Sequence, residues 1–245
     1  MSTPVLRCLP FGLADGGWNM ATDEALLESA AHGVAALRFY GWSAATLSLG
    51  YFQSEGSRHA DPRLAKLPLV RRASGGAALI HHHEVTYSLA LPAGLPWQTG
   101  ESWLCRMHAI IAAALKESGV AAARHGLKAE QPFGGLLCFE HFTPGDLLIG
   151  AGKIVGSAQR RQRGALLQHG SILLRQSEYT PALPGILELS GRALSPEEVC
   201  AAVAQAFQRS TGWLLEDDGW TRAERERIEH LRTTKYTQDS WNRKR

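Results

Sequence analysis

Gly152-Lys153-Ile154-Val155-Gly156-Ser157-Ala158-Gln159-Arg160-Arg161, followed shortly by Leu167-Gln168-His169-Gly170-Ser171-Ile172, is the stretch on which the reading of the fold turns. Gly150-Ala151-Gly152 reads as a tight hairpin between strands over 145–151 and 153–159. A third strand is expected over 164–174. A lysine directly after a tight turn, leading an apolar strand, is held in place, and its compact charge could orient a carbonyl or a phosphate. The blander reading is a surface hairpin lysine.

Working outward, AALRFY over 35–40, ATLSLGYF over 45–52 and PLVRR over 68–72 read as short strands. Residues 77–91 read as extended, because Val85, Tyr87, Leu89 and Leu91 alternate with smaller or polar residues. Helices are expected over 17–32, with Thr22 or Asn19 as cap, and over 101–118, ended by Gly119. Two more are expected from Ser195 to about Arg209, and over 221–232. The pattern implies an α+β fold with mixed, largely antiparallel sheets flanked by helices. One domain over 1–245 is expected, with a small helical C-terminal part from about 190.

The chain has 245 residues, of which 44% are apolar, enough for a large core without staples. A net charge of +3 is too small to argue for a nucleic-acid partner. No apolar run approaches the roughly 18 residues needed to cross a bilayer, and the first residues carry no secretory pattern. The four cysteines, Cys8, Cys105, Cys138 and Cys200, form no CxxC pair. A cytoplasmic protein with reduced thiols, without structural zinc or disulfides, is expected.

Two further segments stand out. Arg71-Arg72-Ala73-Ser74-Gly75-Gly76-Ala77 brings glycines that let the backbone approach a ligand, beside groups that could meet a carboxylate, a phosphate or a thioester oxygen. A turn with solvated arginines fits the same residues. In His81-His82-His83-Glu84, the first and third histidines could share a strand face, but Glu84 would point the other way. Polar lining of a cleft is therefore preferred to a metal site.

Taken in order, these segments resemble the biotin/lipoate protein ligase superfamily, and within it the lipoate branch. The resemblance starts at Asn19-Met20-Ala21-Thr22-Asp23-Glu24 and passes through Leu37-Arg38-Phe39-Tyr40 and Thr46-Leu47-Ser48-Leu49-Gly50. It takes in Arg-Arg-x-Ser-Gly-Gly and Lys-Ile-Val-Gly-Ser-Ala-Gln, and ends near Lys235-Tyr236 and Trp241-Asn242. ATP-dependent members usually carry a third glycine where this chain has Ala77, and an His-Asp-x-Gly-Asn run where it has His-His-Glu-Val-Thr-Tyr-Ser. The latter ending is similar to cysteine-dependent octanoyltransferases of the LipM type and to their amidotransferase cousins. Cys138-Phe139, before the lysine strand, matches the place of the nucleophile in that group. LipB-type enzymes carry their cysteine after the lysine strand, where this chain has none before Cys200.

The resemblance implies an octanoyltransferase of lipoate biosynthesis that needs no cofactor and no metal. Cys138 would take the acyl group from octanoyl–acyl carrier protein as a thioester and pass it to a lysine of a lipoyl-bearing protein. The glycine cleavage H protein and 2-oxoacid dehydrogenase subunits are the expected acceptors, and the enzyme is expected to be a monomer. Lys153 would bind the acyl carbonyl and favour the thiolate, since a free thiol has a pKa of about 8.5. Arg72, Ser74, Gly75 and Gly76 would line the acyl tunnel, and His81, Gly156, Ser157 and His169 would complete the substrate site. His81 or His83 is the candidate base for the acceptor lysine. Cys8, Cys105 and Cys200 read as packed thiols. An ATP-dependent lipoate–protein ligase and a lipoyl-protein amidotransferase are the alternatives.

Overall fold

The computed structural model describes residues 3–126 and 136–245. The strands are β1 Val5–Leu9, β2 Leu13–Ala14, β3 Ala36–Trp42, β4 Thr46–Leu49, β5 Leu69–Arg71 and β6 Leu79–His81. They continue with β7 Glu84–Leu91, β8 Ala123–Arg124, β9 Leu147–Ile149, β10 Gly152–Gln162, β11 Ala165–Leu173 and β12 Leu214–Asp217. The helices are α1 Gly16–Ala31, α2 Pro62–Ala65, α3 Trp103–Glu117, α4 Ile186–Ser190, α5 Pro196–Thr211, α6 Arg222–Leu231 and α7 Asp239–Asn242.

The large sheet runs β12-β1-β3-β7-β11-β10-β9-β8, with β2 beside β3. Pairing is parallel at β12–β1–β3 and antiparallel from β3 to β8. A small sheet, β5-β4-β6, packs beside it. This is the mixed, largely antiparallel α+β architecture that the sequence pattern implies.

Strand β7 explains the layering. Its period-two alternation sends Val85, Tyr87, Leu89 and Leu91 into one apolar cluster with Met107, Ile110 and Ile111 of α3 and Val203 and Phe207 of α5. The alternate residues do not face water. Ala90 packs with Leu26, Leu27 and Ala30 of α1, and Ser88 donates to Asp23 at 2.5 Å. Helices therefore cover both faces, and α1 is buried along most of its length. Beyond about residue 190, where a helical part was expected, α5 shares that main cluster and β12 extends the large sheet.

Several boundaries differ from expectation. Asp15, not Asn19 or Thr22, caps α1, its side chain accepting from Trp18 N at 2.8 Å. Asn19 instead donates across to the Gly41 carbonyl at 3.1 Å. The strand expected over 45–52 stops at Leu49, because Gly50 lies against the Gly76 carbonyl and leaves no room for a Cβ. The extended run 77–91 breaks at His82-His83 between β6 and β7. Ser195 does start a helix, through reciprocal bonds between its hydroxyl and Glu198 N and between Glu198 Oε2 and Ser195 N.

Arg71 ties the C-terminal segment to the loop after β4. Fully buried, it donates to the carbonyls of Gly50 at 3.0 Å, Gln53 at 2.7 Å and Asn242 at 3.0 Å. Buried acceptors that lose their donor are costly, so Arg71→Met is expected to lower unfolding free energy by about 3 kcal/mol. Urea unfolding checks the value, and limited proteolysis should show earlier cleavage near the C-terminus.

Candidate active site

The site forms where the Gly75-Gly76 loop, the segment after Leu136 and the start of β10 converge. The Cys138 amide donates to the Ala78 carbonyl at 2.6 Å, and the Ala78 amide to Leu136 O at 3.0 Å. These two bonds pin a short 3-10 turn, Cys138–Glu140, beside the glycine loop.

Lys153 enters from β10. A register shift between Lys153 and Val155 interrupts the pairing with β9. Its ammonium is 2.7 Å from Asp146 Oδ2 and donates to His141 O at 3.0 Å and Cys138 O at 3.3 Å. It lies 3.7 Å from Cys138 Sγ. Lys153 is only 4% exposed and Asp146 1%. Gly156 makes the placement feasible, since a Cβ there would come within 2.8 Å of Lys153 Cε. The spacing Lys-x-x-Gly is thus a steric requirement. Asp146 itself is held by the Thr143 amide at 2.7 Å.

The other expected residues divide. Arg72, buried, donates to Ser48 Oγ at 2.6 Å, Ala77 O at 2.8 Å and Gly75 O at 3.2 Å, so its guanidinium shapes the glycine loop. Gly76 has φ +86°, in the left-handed region that favours glycine. Ser74 bonds His169 Nε2 at 2.6 Å, and His169 Nδ1 meets Asp23 Oδ2 at 2.7 Å. His81 lies between Glu84 at 2.5 Å and Ser48 Oγ at 2.7 Å, stacked on Trp42 at 3.7 Å. Burial holds its pKa below the ordinary imidazole value.

Two cavities meet at the sulfur. The inner one is walled by Met20, Tyr40, Leu79, Phe139 and Ala158 and touches Arg72, His81 and His169. The outer one is bordered by Leu104, His141, Pro144, Lys153 and Gln159. Gly76, Ala77, Cys138, Ser157 and Ala158 line both, Gly75 only the outer one and Ser74 neither. His83 is not part of this site. It stacks on His82, bonds Arg175 and borders a separate cavity, so the shared face expected for His81 and His83 does not form. The other thiols lack such surroundings. Burial pushes Cys200 up to about 12, and burial beside Asp217 raises Cys8. Among the described residues no group of three or more His, Cys, Asp or Glu side chains could hold a metal ion.

The sequence reading missed Asp146 and Asp23. Asp23 lies in the Asn19–Glu24 run, where its type alone does not mark it as a partner of His169. Asp146 sat in an ordinary Pro-Gly-Asp turn, and only the fold reveals its pairing with Lys153.

Residues 15–181 match the model of the lipoyl protein ligase A/B catalytic domain. The chain belongs to that family. Over essentially their full lengths, it is similar to proteins named octanoyltransferase LipM. That of Moorella thermoacetica is 34% identical, with 100% of both chains covered. That of Kyrpidia tusciae is 33% identical over 96% of this chain and 97% of its relative, and that of Bacillus subtilis 30% over 100% of both. In fold it is similar to the putative lipoate protein ligase Ta0514 of T. acidophilum, with TM-score 0.81, 22% identity and 100% of both chains covered. A lipoate-protein ligase A bound with ATP gives TM-score 0.78 and 22% identity over 99% of both.

Gly156→Ala should displace the Lys153 side chain while leaving the strand intact. Misplacing a catalytic group by about an ångström can cost about 100-fold, so acyl transfer should fall by at least that factor, and thermal stability should fall as well because the buried Lys153–Asp146 pair is disturbed. Asp146→Ala strands a buried ammonium and should destabilise the fold by about 3 kcal/mol, measured by denaturant unfolding.

Proposed function

We propose that the chain is an octanoyltransferase of lipoate biosynthesis in which Cys138 carries the acyl group between donor and acceptor. The observation that carries this reading is the 3.7 Å approach of Lys153 Nζ to Cys138 Sγ at the junction of an apolar slot and an open cleft. The full-length similarity to LipM octanoyltransferases supports it.

In the first transfer the Cys138 thiolate attacks the thioester carbonyl of octanoyl–acyl carrier protein, and the carrier thiol leaves. The eight-carbon tail enters the slot walled by Met20, Tyr40, Leu79 and Phe139. Each buried methylene contributes about 0.8 kcal/mol. The Lys153 ammonium stabilises the thiolate and then the tetrahedral oxyanion. Of its bonds to protein oxygens, the 3.3 Å one to Cys138 O is the longest and the easiest to exchange for the substrate oxygen. In the second transfer a lysine of a lipoyl-bearing protein, such as the glycine cleavage H protein or a 2-oxoacid dehydrogenase subunit, comes in through the outer cleft. It attacks the thioester and leaves as the amide. Thioester to amide runs downhill, so no ATP is consumed. Arg72 suits this chemistry, because its guanidinium is committed to Ser48, Gly75 and Ala77.

Exposure to octanoyl–acyl carrier protein should add one octanoyl mass to Cys138, and Cys138→Ser should gain none and transfer none. An adduct on Cys105 or Cys200, or an acyl-adenylate formed from octanoate and ATP, would overturn the reading. Octanoyl uptake only from an octanoylated lipoyl protein would make the enzyme an amidotransferase.

A further inference from the structure

The second transfer needs a proton acceptor, because an alkyl ammonium with a pKa of about 10.4 does not attack carbonyls. The imidazoles that touch the acyl cavity are engaged on both nitrogens within the protein wall. His81 is held between Glu84 and Ser48, and His169 between Asp23 and Ser74. A third imidazole lies directly behind the point where the cavities meet. His108 of α3 is fully buried, with Nδ1 2.7 Å from the Gly145 carbonyl and Nε2 2.6 Å from Ser157 Oγ.

The hydrogen-bond directions here are fixed by chemistry. A carbonyl only accepts, so Nδ1 carries the hydrogen. Nε2 of the neutral ring is then an acceptor, and the Ser157 hydroxyl donates to it. With its hydrogen used, Ser157 must accept from the Tyr87 hydroxyl at 2.6 Å. Tyr87 in turn accepts from Gln168 Nε2 at 2.8 Å, and Gln168 from Gln159 Nε2 at 2.7 Å. Every donor along Gln159, Gln168, Tyr87, Ser157 and His108 points the same way, toward the Gly145 carbonyl, so each bond polarises the next. Gly170 keeps the chain closed, since a Cβ there would sit 2.7 Å from the Tyr87 ring. Ser157 borders both cavities together with Cys138, and one lone pair of its oxygen is left for an incoming amine.

We propose that His108, acting through the Ser157 hydroxyl, takes the proton that the acceptor lysine sheds as it attacks the octanoyl thioester. The inference rests on the acyl-enzyme reading above. In the step, the acceptor ammonium gives a proton to Ser157 Oγ while the Ser157 proton passes to His108 Nε2, and the neutral amine so formed bonds to the thioester carbon. The C–S bond then breaks, and the proton still carried by the new nitrogen goes to the departing sulfur beside Lys153. The imidazolium releases its proton through Ser157 to solvent, so ammonium and thioester become amide, thiol and one proton. The groups that bias His108 come from several elements. Burial holds its pKa low, the Gly145 carbonyl and Asp146 raise it, and Lys153 and Arg124 lower it further.

Pre-formed octanoyl-enzyme separates the halves. His108→Gln preserves a donor and an acceptor but has no basic nitrogen, and Ser157→Ala breaks the relay. His108→Gln, whose side chain lines neither cavity, should still be acylated by octanoyl–acyl carrier protein, and Ser157→Ala is compared only from its acyl-enzyme onward. Both should pass octanoate to the acceptor lysine about 100-fold more slowly, the lower range for general-base catalysis. Hydroxylamine, which is already neutral near pH 7, should cleave both acyl-enzymes at the wild-type rate. In the wild type, lysine transfer should fall as pH drops through a value below that of ordinary imidazole, and His108→Gln should lose this inflection. Unchanged lysine transfer in either variant, an equal loss with hydroxylamine, or a retained inflection would overturn the proposal. If the wild type forms no acyl-enzyme, the functional reading itself fails instead.

Discussion

A lone ammonium taken out of water costs several kcal/mol even after the protein relaxes around it. Lys153 is nevertheless buried, and much of the nearby architecture follows from making that tolerable. Asp146 supplies the opposite charge at 2.7 Å, and the Thr143 amide fixes Asp146. His141 and Cys138 turn carbonyls toward the remaining hydrogens. Gly156 gives up its side chain to the lysine stem. These constraints bring the turn that bears Cys138 close to β10. The approach of sulfur to ammonium is therefore a by-product of solving a desolvation problem. A charge held this way needs no reorganisation when an oxyanion forms beside it.

The second constraint is spatial. A fatty tail and a protein-borne lysine must reach one carbonyl from different sides. The glycine loop separates the two spaces, with Gly75 facing only the outer cleft and Gly76 bordering both. Such a thin wall must be braced from behind, since glycines contribute no packing of their own. Arg72 does this from beneath with bonds to Gly75 O and Ala77 O, and Ser74 anchors the loop to His169 and through it to Asp23 on α1. Both residues act on the tunnel's shape more than on its contents.

The large sheet was legible because its signals are local. The alternation over 84–91 and the hairpin at 150–152 are properties of adjacent residues. The cap of α1 was misassigned because Asn19 and Thr22 satisfy the capping rule by type, and only tertiary packing shows that both lie inside the helix. Cys138 and Lys153 are 15 residues apart with no periodicity to link them, so the pair was readable from the family order of motifs and not from spacing. Asp146 and His108 were not readable at all. Each becomes informative only when the register shift in β10 and the packing of α3 bring it behind the site.

The buried acids of the site follow one pattern, which bears on why the slot can remain apolar. Asp23 is bonded by Tyr40, Ser88 and His169, Glu84 by His81, Thr86 and Ser171, and Asp146 by Lys153 and the Thr143 amide. Each carboxylate is satisfied by protein groups. A half-satisfied network would draw water toward the thioester, whereas a complete one can form the rim of an apolar cavity without wetting it. Hydrolysis competes with aminolysis at any acyl-enzyme, so keeping water from the inner slot protects the intermediate until a lysine arrives. Apart from Ser157, the polar residues around the slot thus serve transfer by being occupied, and the groups left able to exchange partners are Lys153, on the outer cleft, and Ser157, where the two cavities meet.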